Sequence, residues 1–502
     1  MVQIALLAGS RPLSIEMPPG SVALPPPPPP KGEIVDTGAA VRDALRFPLS
    51  GPPLEALARE AKRAVIVVEP PALPIPGALR DPRLEALVAA SDELERSGIP
   101  SGYQTILVTS GLGRKLDQRE LASLATPEFA LRFHGLVAVH DVEDANLVKL
   151  GDSDGIPLEI DRLLAETDLV LCVTAAESVL NGGPNVLLAA GGRDALRAAQ
   201  NSPSLLETSG SRGWQLALLL ERLLEQRARL VGVSLALGPP RLGGMVSGYP
   251  FDARAVGRLA RSRSRRLLSL VPGLLRWRVL VATPTETRAI AVYAGPPSVA
   301  HAEALLATIE ARATEYATPF DVLCIPVPDT TLFLPRERPN PLAVAAFGLG
   351  YAFRRWREQP PLSPGGVIVL AHDLERRFAH PGQQPYRSFF SAARAGRDPE
   401  TLAQAERVAC EDARQIALYR AGRSCHPLAP FADWESCQPA LERAKTIIVA
   451  GCRNAATARQ LGFVPSHGIG PALELATGEA SSSPRIGFIL GPPYPALRPA
   501  QS

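Results

Sequence analysis

The feature that most constrains the fold is an alternation of short, continuously apolar segments with amphipathic ones. Ala64–Val68 and Thr105–Val108 contain no charged residue, and Pro82–Arg96 between them has the apolar spacing of a helix. Uninterrupted apolar runs of this length are typical of strands that are buried on both faces of a parallel sheet. Parallel strands joined through helices form right-handed crossover units. We therefore expect an α/β protein with largely parallel sheets.

The alternation continues in two series, which indicates two domains. The first series adds strands at Leu136–Val139, Asp168–Val173 and Leu230–Leu235. The second is expected to open on a hairpin, Arg278–Val281 with Ala289–Tyr293, and to add strands at Phe320–Ile325, Gly366–Leu370, Lys445–Ala450 and Ile486–Leu490. A chain of 502 residues suits two or three domains. We predict two α/β domains, residues 1–285 and 286–502, with a cleft between them. Residues 1–50 are expected to be a lead-in with a hairpin and a proline-rich segment.

Charge and composition exclude several classes of protein. The 53 basic and 50 acidic residues give a net charge of +3, too small to attract polyanions to the whole surface. No run of about 20 apolar residues free of charge could span a bilayer, and no cleavable signal segment is recognisable. The six cysteines form no C-x-x-C pair, so free and mostly buried thiols are expected. We expect a cytoplasmic protein without a membrane partner.

A series of short stretches follows in order along most of the chain: Val67–Glu69, Gly98–Pro100, Ile106–Gly111, Arg114, Glu120–Leu121, Val139–Asp141, Gly155–Pro157, Ala165–Val170, Gly182–Gly183, Ala294–Gly295, Asp321–Leu323 and Pro364–Ile368. In this order they resemble the lactate racemase family, whose members use a nickel-pincer nucleotide. The resemblance implies an isomerase of 2-hydroxy acids, with nickel in an organic pincer that is tied to a lysine and held by a histidine. Hydride leaves the α-carbon and returns, while two histidines exchange the hydroxyl proton.

The residues that this chemistry needs are replaced in the matching stretches. Asn185 stands where the family has its anchor lysine, and Asn201 stands where it has the nickel-binding histidine. Gly113 replaces a catalytic histidine, and no histidine lies near Glu177, where the family has a further one. Leu73 replaces an arginine, whereas Arg114 is retained.

Residue counts lead to the same expectation without an alignment. The chain has no lysine between Lys149 and Lys445, and no histidine between His140 and His301. Shifting the alignment therefore restores neither the anchor nor the nickel ligand. We predict a degenerate member of the family that carries no nickel-pincer cofactor and no other metal, and that has lost hydride-transfer racemisation.

Such a scaffold is expected to bind a small anionic ligand in the cleft. Arg114, in a loop between a strand and a helix, could hold a carboxylate or phosphate, and backbone amides at Gly111, Gly182 and Gly183 could approach it. Asn185 and Asn201 would be polar walls of the pocket. The alternatives are a solvated arginine, a tight turn and ordinary loop residues.

A second hypothesis is different chemistry in the same cleft. His372, at the end of the strand Gly366–Leu370, has a suitable position for proton transfer, and with Glu375 it could bind a dissociable metal. Glu177 is the other weak catalytic candidate, with capping of a turn as its alternative. An active 2-hydroxy-acid racemase or epimerase, or another cleft enzyme that uses His372, therefore stays open.

Two further segments suggest partners. The arginines between Arg254 and Arg278 could bind an acidic partner, although a solvated helix face is favoured and nucleic acid is not expected, because no recognition motif accompanies them. Pro25–Pro30 forms an extended polyproline segment that could dock onto a polyproline-binding partner, with a stiff spacer as the favoured alternative. A homo-oligomer stays open.

Overall fold

The computed structural model describes residues 2–69, 81–117, 120–121, 126–176, 186–200, 202–329, 338–378, 380–395, 398–480 and 483–500. Their strands, in chain order, are β1 (Gln3–Ala8), β2 (Arg11–Glu16), β3 (Val22–Leu24), β4 (Ala64–Val68), β5 (Gln104–Val108), β6 (Leu136–Val139), β7 (Val148–Ser153), β8 (Ile156–Ile160), β9 (Leu169–Ala175), β10 (Arg229–Leu237), β11 (Arg241–Leu242), β12 (Thr285–Glu286), β13 (Ala289–Gly295), β14 (Ala313–Tyr316), β15 (Phe320–Pro326), β16 (Leu362–Ala371), β17 (Ala444–Ala450), β18 (Val464–Ser466), β19 (Ile486–Ile489) and β20 (Ala496–Pro499).

The α-helices of the described residues are Thr37–Arg46, Leu54–Ala58, Pro82–Arg96, Pro127–Arg132, Arg162–Ala165, Arg193–Ala198, Arg212–Glu225, Ala253–Arg261, Arg263–Leu270, Gly273–Val281, Pro297–Arg312, Pro341–Ala345, Gln384–Ala395, Pro399–Glu411, Ala413–Arg420, Ala429–Arg443, Ala455–Gln460 and Ile469–Glu479. Several begin after an aspartate whose carboxylate accepts a first-turn N–H, as at Asp36, Asp81 and Asp252. This capping satisfies donors that have no partner inside the helix.

The first sheet has the strand order β13-β10-β9-β4-β5-β6, and all its pairs are parallel except β10 with β13. Every residue of β4 is buried, as its apolar run predicts. The chain passes from β4 to β5 and β6 on one side, and then returns to place β9 on the other side of β4. Ligands of open α/β sheets bind at the carboxyl ends of the strands near such a reversal.

The second sheet has the order β18-β17-β16-β15-β19-β3 and is entirely parallel. Its order reverses beside β15, because β16, β17 and β18 follow on one side and β19 lies on the other. The two six-stranded sheets and their covering helices confirm the α/β class with largely parallel sheets.

Each of the two six-stranded sheets includes one strand from the other side of the predicted boundary at residue 285. β3, from the lead-in, pairs with β19 of the second sheet, and β13 pairs with β10 of the first. Sheet membership therefore does not follow a boundary at residue 285. Pro25–Pro30 connects the sheets: it follows β3, its Pro26 is buried, and the Pro25 carbonyl accepts a hydrogen bond from Thr314 Oγ1 at 2.6 Å.

One predicted element has a different structure. Arg278–Val281, expected to be half of a hairpin with Ala289–Tyr293, belongs to the helix Gly273–Val281, and β13 pairs with β10 instead. The apolar run Val279–Val281 suits either a helix or a strand, and Pro272 just before the first helical residue favours the helix. The expected hairpin near the start is confirmed as β1 with β2. No helix among the described residues is long and apolar enough to cross a membrane.

Candidate functional site

The carboxyl ends of β5 and β6 in the first sheet contact the end of the helix Ala413–Arg420 and the segment that follows it. Tyr419 lies under this edge, with its hydroxyl 3.4 Å from the Gly111 carbonyl and 3.4 Å from the Val142 N–H. The Lys115 ammonium stacks 5.0 Å from the centre of the Tyr419 ring and pairs with Asp141 at 2.8 Å. The lysine is therefore buried between the two halves of the chain with its charge compensated.

Two histidines at the same edge have a polar partner within hydrogen-bond distance of each ring nitrogen. His426 is completely buried; its Nδ1 accepts from the Leu428 N–H, and its Nε2 lies 2.9 Å from a Glu143 carboxylate oxygen, to which it donates. His140 faces two acceptors, Asp161 at 2.8 Å and the Gly191 carbonyl at 2.9 Å.

The carboxylate of Glu143 accepts hydrogen bonds from two side chains at this edge. It accepts from His426 Nε2 and from Arg193 at 2.7 Å. Burial raises the pKa of this carboxyl, but the hydrogen bonds from His426 and Arg193 outweigh burial, so the pKa lies below its ordinary value. Glu143 and the two histidines of the first edge are thus paired with groups of the chain itself.

The predicted ligand-binding residues divide between this edge and undescribed segments. Arg114 is mostly buried and forms an ion pair with Glu120, while Gly111 offers its carbonyl to Tyr419. An anion-binding role for Arg114 and Gly111 stays a prediction, and the arginine already holds a carboxylate of its own chain. The other candidates lie outside the described residues: Glu177, Gly182, Gly183, Asn185 and Asn201.

The carboxyl end of β16 in the second sheet has a buried histidine with an unused donor. His372 follows the last residue of β16 and is 5% exposed. Its Nδ1 accepts the Leu374 N–H at 2.9 Å, so the neutral ring carries its proton on Nε2. In the part of the chain that the structure describes, this buried Nε2 has no hydrogen-bond partner. Leaving such a donor unpaired costs about 1–3 kcal/mol, and each such group calls for a functional or structural reason.

A buried carboxyl lies near His372 at the end of β15. Asp329 is 5% exposed and accepts from Arg338 at 3.1 Å, and its backbone N–H donates to the Gly9 carbonyl at 2.9 Å. Burial raises the pKa of Asp329, with Asp373 adding to the rise and His372 and Arg338 opposing it. This group therefore holds its proton more strongly than an ordinary aspartate does.

The turn between β1 and β2 closes over this second edge. Gly9 has φ +57°, and a Cβ there would lie 3.2 Å from Asp373 Oδ1 and 3.9 Å from the His372 ring. Ser10 accepts from the buried Arg276 at 3.3 Å. Arg276 also donates to the Val271 carbonyl at 2.6 Å. The second edge thus combines a buried cation, a carboxyl of raised pKa and an imidazole N–H that has no partner within the described part of the chain.

Comparisons with known proteins concern the family and the fold of this chain. Residues 9–179 match the family model of the lactate racemase N-terminal domain. Over these residues the chain is similar to that domain. The resemblance read from the sequence is thereby confirmed.

Solved structures show the same fold. The lactate racemase apoprotein from Thermoanaerobacterium thermosaccharolyticum is 16% identical, with 97% of each chain covered and a TM-score of 0.60. A protein from Thermotoga maritima is 11% identical, with 93% of this chain and 99% of that chain covered and a TM-score of 0.50. No curated protein matches the chain. At these identities the structural likeness concerns the fold alone.

The lysines of the described residues are the side chains to compare with the covalent nickel group of lactate racemases. Of the described lysines, Lys149 and Lys445 form exposed ion pairs with carboxylates, and Lys31 and Lys62 are exposed. Lys115 is buried, but its ammonium is held by Asp141. Among the described residues, no group of three or more His, Cys, Asp or Glu side chains is arranged to hold a metal.

The predicted pairing of His372 with Glu375 as metal ligands stays a prediction. The Glu375 carboxylate is engaged by Arg453 at 2.7 Å and by Arg377 at 2.6 Å. Two cations on one carboxylate leave it poorly suited to a further positive ion.

The cysteines of the described chain are free and five of the six are buried, as expected.

Sequence reasoning missed Arg276 and Asp329 as members of a site with His372. Arg276 stands in the arginine-rich stretch, and its burial distinguishes it from its neighbours. Asp329 follows a predicted strand, where a lactate racemase-like sheet would bind ligands, and that position was the available signal. The approach of Gly9 left no local trace, because it depends on a pairing across more than 300 residues, between Gly9 and Pro328.

Proposed function

We propose that this chain is a lactate racemase-fold protein that binds a small carboxylate at the carboxyl ends of β15 and β16, without the covalent nickel cofactor. The observation that carries the proposal is the buried Nε2–H of His372, which has no partner among the described residues. A ligand oxygen would supply the missing acceptor and remove the cost of an unpaired buried donor.

Two arginines near His372 suit an anion, beside the carboxylate of Asp373, whose Oδ1 lies 3.6 Å from His372 Nδ1. Arg276 is buried, and Arg338 is mostly buried beside Asp329. Burial raises the pKa of Asp329 above its ordinary value, while His372 and Arg338 oppose that rise. Arginine and a neutral imidazole N–H together suit the two oxygens of a carboxylate.

The loss of the nickel chemistry is proposed from the sequence and supported by the lysines. Asn185 stands at the anchor position, and the nearest lysine before it, Lys149, is exposed and paired with Asp152. Lys115 would have to leave both Asp141 and the Tyr419 ring to form a covalent link. A cytoplasmic location stays a prediction with this proposal.

The cofactor part is tested by producing the chain together with the enzymes that synthesise the nickel-pincer nucleotide. Intact mass and elemental analysis of the purified protein should show the unmodified chain mass and no nickel. A chain with an added pincer mass and bound nickel contradicts this part, and peptide mapping would identify the lysine that carries it.

The ligand part is tested by calorimetric titration with small 2-hydroxy carboxylates, and with inorganic phosphate for comparison. His372→Phe keeps a planar ring at this position but removes the Nε2–H donor. It should weaken carboxylate binding by about tenfold or more. The control is His380→Phe, because His380 is exposed on the following segment and uses Nδ1 to accept the Gly382 N–H. Equal affinity of the wild type and His372→Phe overturns the proposed site.

Proton transfer on the bound acid is a second candidate function, favoured by the nearness of His372 and Asp329. An imidazole and a carboxyl whose pKa is raised by burial are the kinds of group that transfer protons in general acid–base catalysis. The test is exchange of the α-proton of the bound acid for deuterium, followed by NMR in heavy water. Wild-type exchange that is lost in both His372→Phe and Asp329→Asn supports an enzyme, whereas binding without exchange leaves a binding protein.

A further inference from the structure

Three consecutive helices lie beside the β1–β2 hairpin, and all of their arginines except Arg276 are exposed or half-buried. In the helix Ala253–Arg261, the buried Val256 and Leu259 pack into the same cluster as Ile4 and Ile15 of the hairpin. The helix Arg263–Leu270 has no buried residue at all. In the helix Gly273–Val281, only Arg276 is buried. The last two helices are therefore largely exposed along their length.

Their exposed faces mix leucine with arginine at helical spacing. Arg263, Arg266, Leu267 and Leu270 follow the i, i+3, i+4, i+7 pattern, and Leu267 and Leu270 are 66% and 81% exposed. We call these exposed faces of Arg263–Leu270 and Gly273–Val281 the basic apolar surface.

The second helix repeats the arrangement. Leu274 and Leu275 are about half exposed, and Arg278 and Val279 lie one turn further along the same side. A soluble protein normally buries leucines at such spacing, so their exposure on two successive helices needs an occupant.

The stretch of chain that forms this surface is rich in arginine and contains no acidic residue. Residues 253–285 contain eight arginines and neither aspartate nor glutamate. Among the described residues, Arg263, Arg266 and Arg278 form no ion pair with a carboxylate. Seven of the eight arginines are exposed or half-buried, since Arg276 alone is buried. The surface therefore presents uncompensated positive charge beside exposed apolar side chains.

We propose that the basic apolar surface docks onto an anionic lipid membrane, with the leucines entering the headgroup region and the arginines meeting lipid phosphates and carboxylates. Helices with arginine beside leucine and tryptophan bind in this way at membrane interfaces. The proposal concerns docking on a membrane, and departs from the sequence expectation of no membrane partner, which rested on the lack of a spanning segment.

Charge complementarity favours this occupant over the alternatives. A second copy of the chain would bring one arginine-rich face against another in an isologous contact, which repels. Nucleic acid would satisfy the arginines but leave Leu267 and Leu270 without a role, because base stacking uses aromatic rings.

The test is cosedimentation of the full chain with vesicles made of equal parts phosphatidylserine and phosphatidylcholine. Binding should be strong at low salt, weaken as salt rises, and be much weaker with vesicles of phosphatidylcholine alone. Arg263→Gln/Arg266→Gln should weaken binding about thirtyfold, from about tenfold per 1.4 kcal/mol and about 1 kcal/mol per arginine. Leu267→Gln/Leu270→Gln should weaken it without changing the salt dependence.

The matched control is Leu218→Gln/Arg222→Gln, on an exposed face of the helix Arg212–Glu225, where Leu218 is 40% exposed. It should bind vesicles as the wild type does. Because nothing in Arg263–Leu270 is buried, the test variants should keep the wild-type circular dichroism spectrum and melting temperature. No binding to anionic vesicles, or equal loss in the control, overturns the proposal. Sedimentation equilibrium that shows self-association abolished by Leu267→Gln/Leu270→Gln assigns the surface to a second copy instead.

Discussion

The carboxyl ends of the two sheets place histidines in similar positions but treat them differently. At the first sheet, His140 and His426 face partners with both ring nitrogens, and the nearby Lys115 is paired with Asp141. At the second sheet, His372 uses one nitrogen on the backbone and leaves the other unpaired within the described residues.

The difference separates stabilising polar groups from groups kept free for a ligand. Buried polar side chains normally find partners, so a saturated histidine needs no function beyond holding the fold. The first edge, where the family resemblance places most of its matching residues, is in this structure closed by contacts between distant parts of the chain. The second edge retains the unsatisfied donor.

The contrast between the two sheet edges predicts its largest effect on the free energy of unfolding of histidine variants. His140→Leu should destabilise the protein by about 3 kcal/mol, because it leaves the Asp161 carboxylate and the Gly191 carbonyl unpaired. His372→Leu should cost only about 1 kcal/mol, since it removes one acceptor for the Leu374 N–H and a donor that had no partner. Urea denaturation of both variants measures the two values. Equal losses would erase the distinction between the edges.

A second prediction concerns the opposite pKa shifts of two carboxyls. The pKa of Glu143 lies below its ordinary 4.5, so its stabilisation is present above that pH and is lost as pH falls through the lower folded value. The pKa of Asp329 lies above its ordinary 3.8, so its contribution is present below that pH and is lost as pH rises through the raised folded value.

The matching variants sharpen this contrast. Glu143→Gln should destabilise by about 1–2 kcal/mol near neutral pH, and less as the medium becomes acidic. Asp329→Asn should gain stability relative to the wild type as pH rises. The measurement is the urea midpoint across a pH series, with Glu474→Gln, on an exposed helix position, as control. Curves of the same sign for both variants would contradict the assigned environments.

The smallest expected effect tests the close contact of the β1–β2 turn with Asp373 and His372 at the second edge. Gly9→Ala should cost about 1 kcal/mol, because φ +57° is unfavourable for alanine and its Cβ would press on Asp373 Oδ1 at 3.2 Å. Gly20→Ala has a similar positive φ but open space around its Cβ, so it isolates the backbone cost. Gly9→Ala should in addition weaken carboxylate binding, whereas Gly20→Ala should not.

The sequence predicted the elements better than the sites. Ala64–Val68 was predicted with the bounds that β4 has, because a continuous apolar run needs no long-range information. The helix Gly273–Val281 was partly mistaken for a strand, since short apolar runs suit both. What closes the first edge was not predictable: Tyr419 and Gly111 are 308 positions apart. The unpaired donor of His372 likewise depends on what surrounds it in three dimensions.

The central claim, that the second edge holds the ligand, is tested most directly by a crystal structure of the protein with a small 2-hydroxy carboxylate. The account predicts a carboxylate oxygen at about 3 Å from His372 Nε2, with no change at the first edge. A ligand bound instead beside Arg114, or a pincer group attached to Lys115 after release from Asp141, would contradict it.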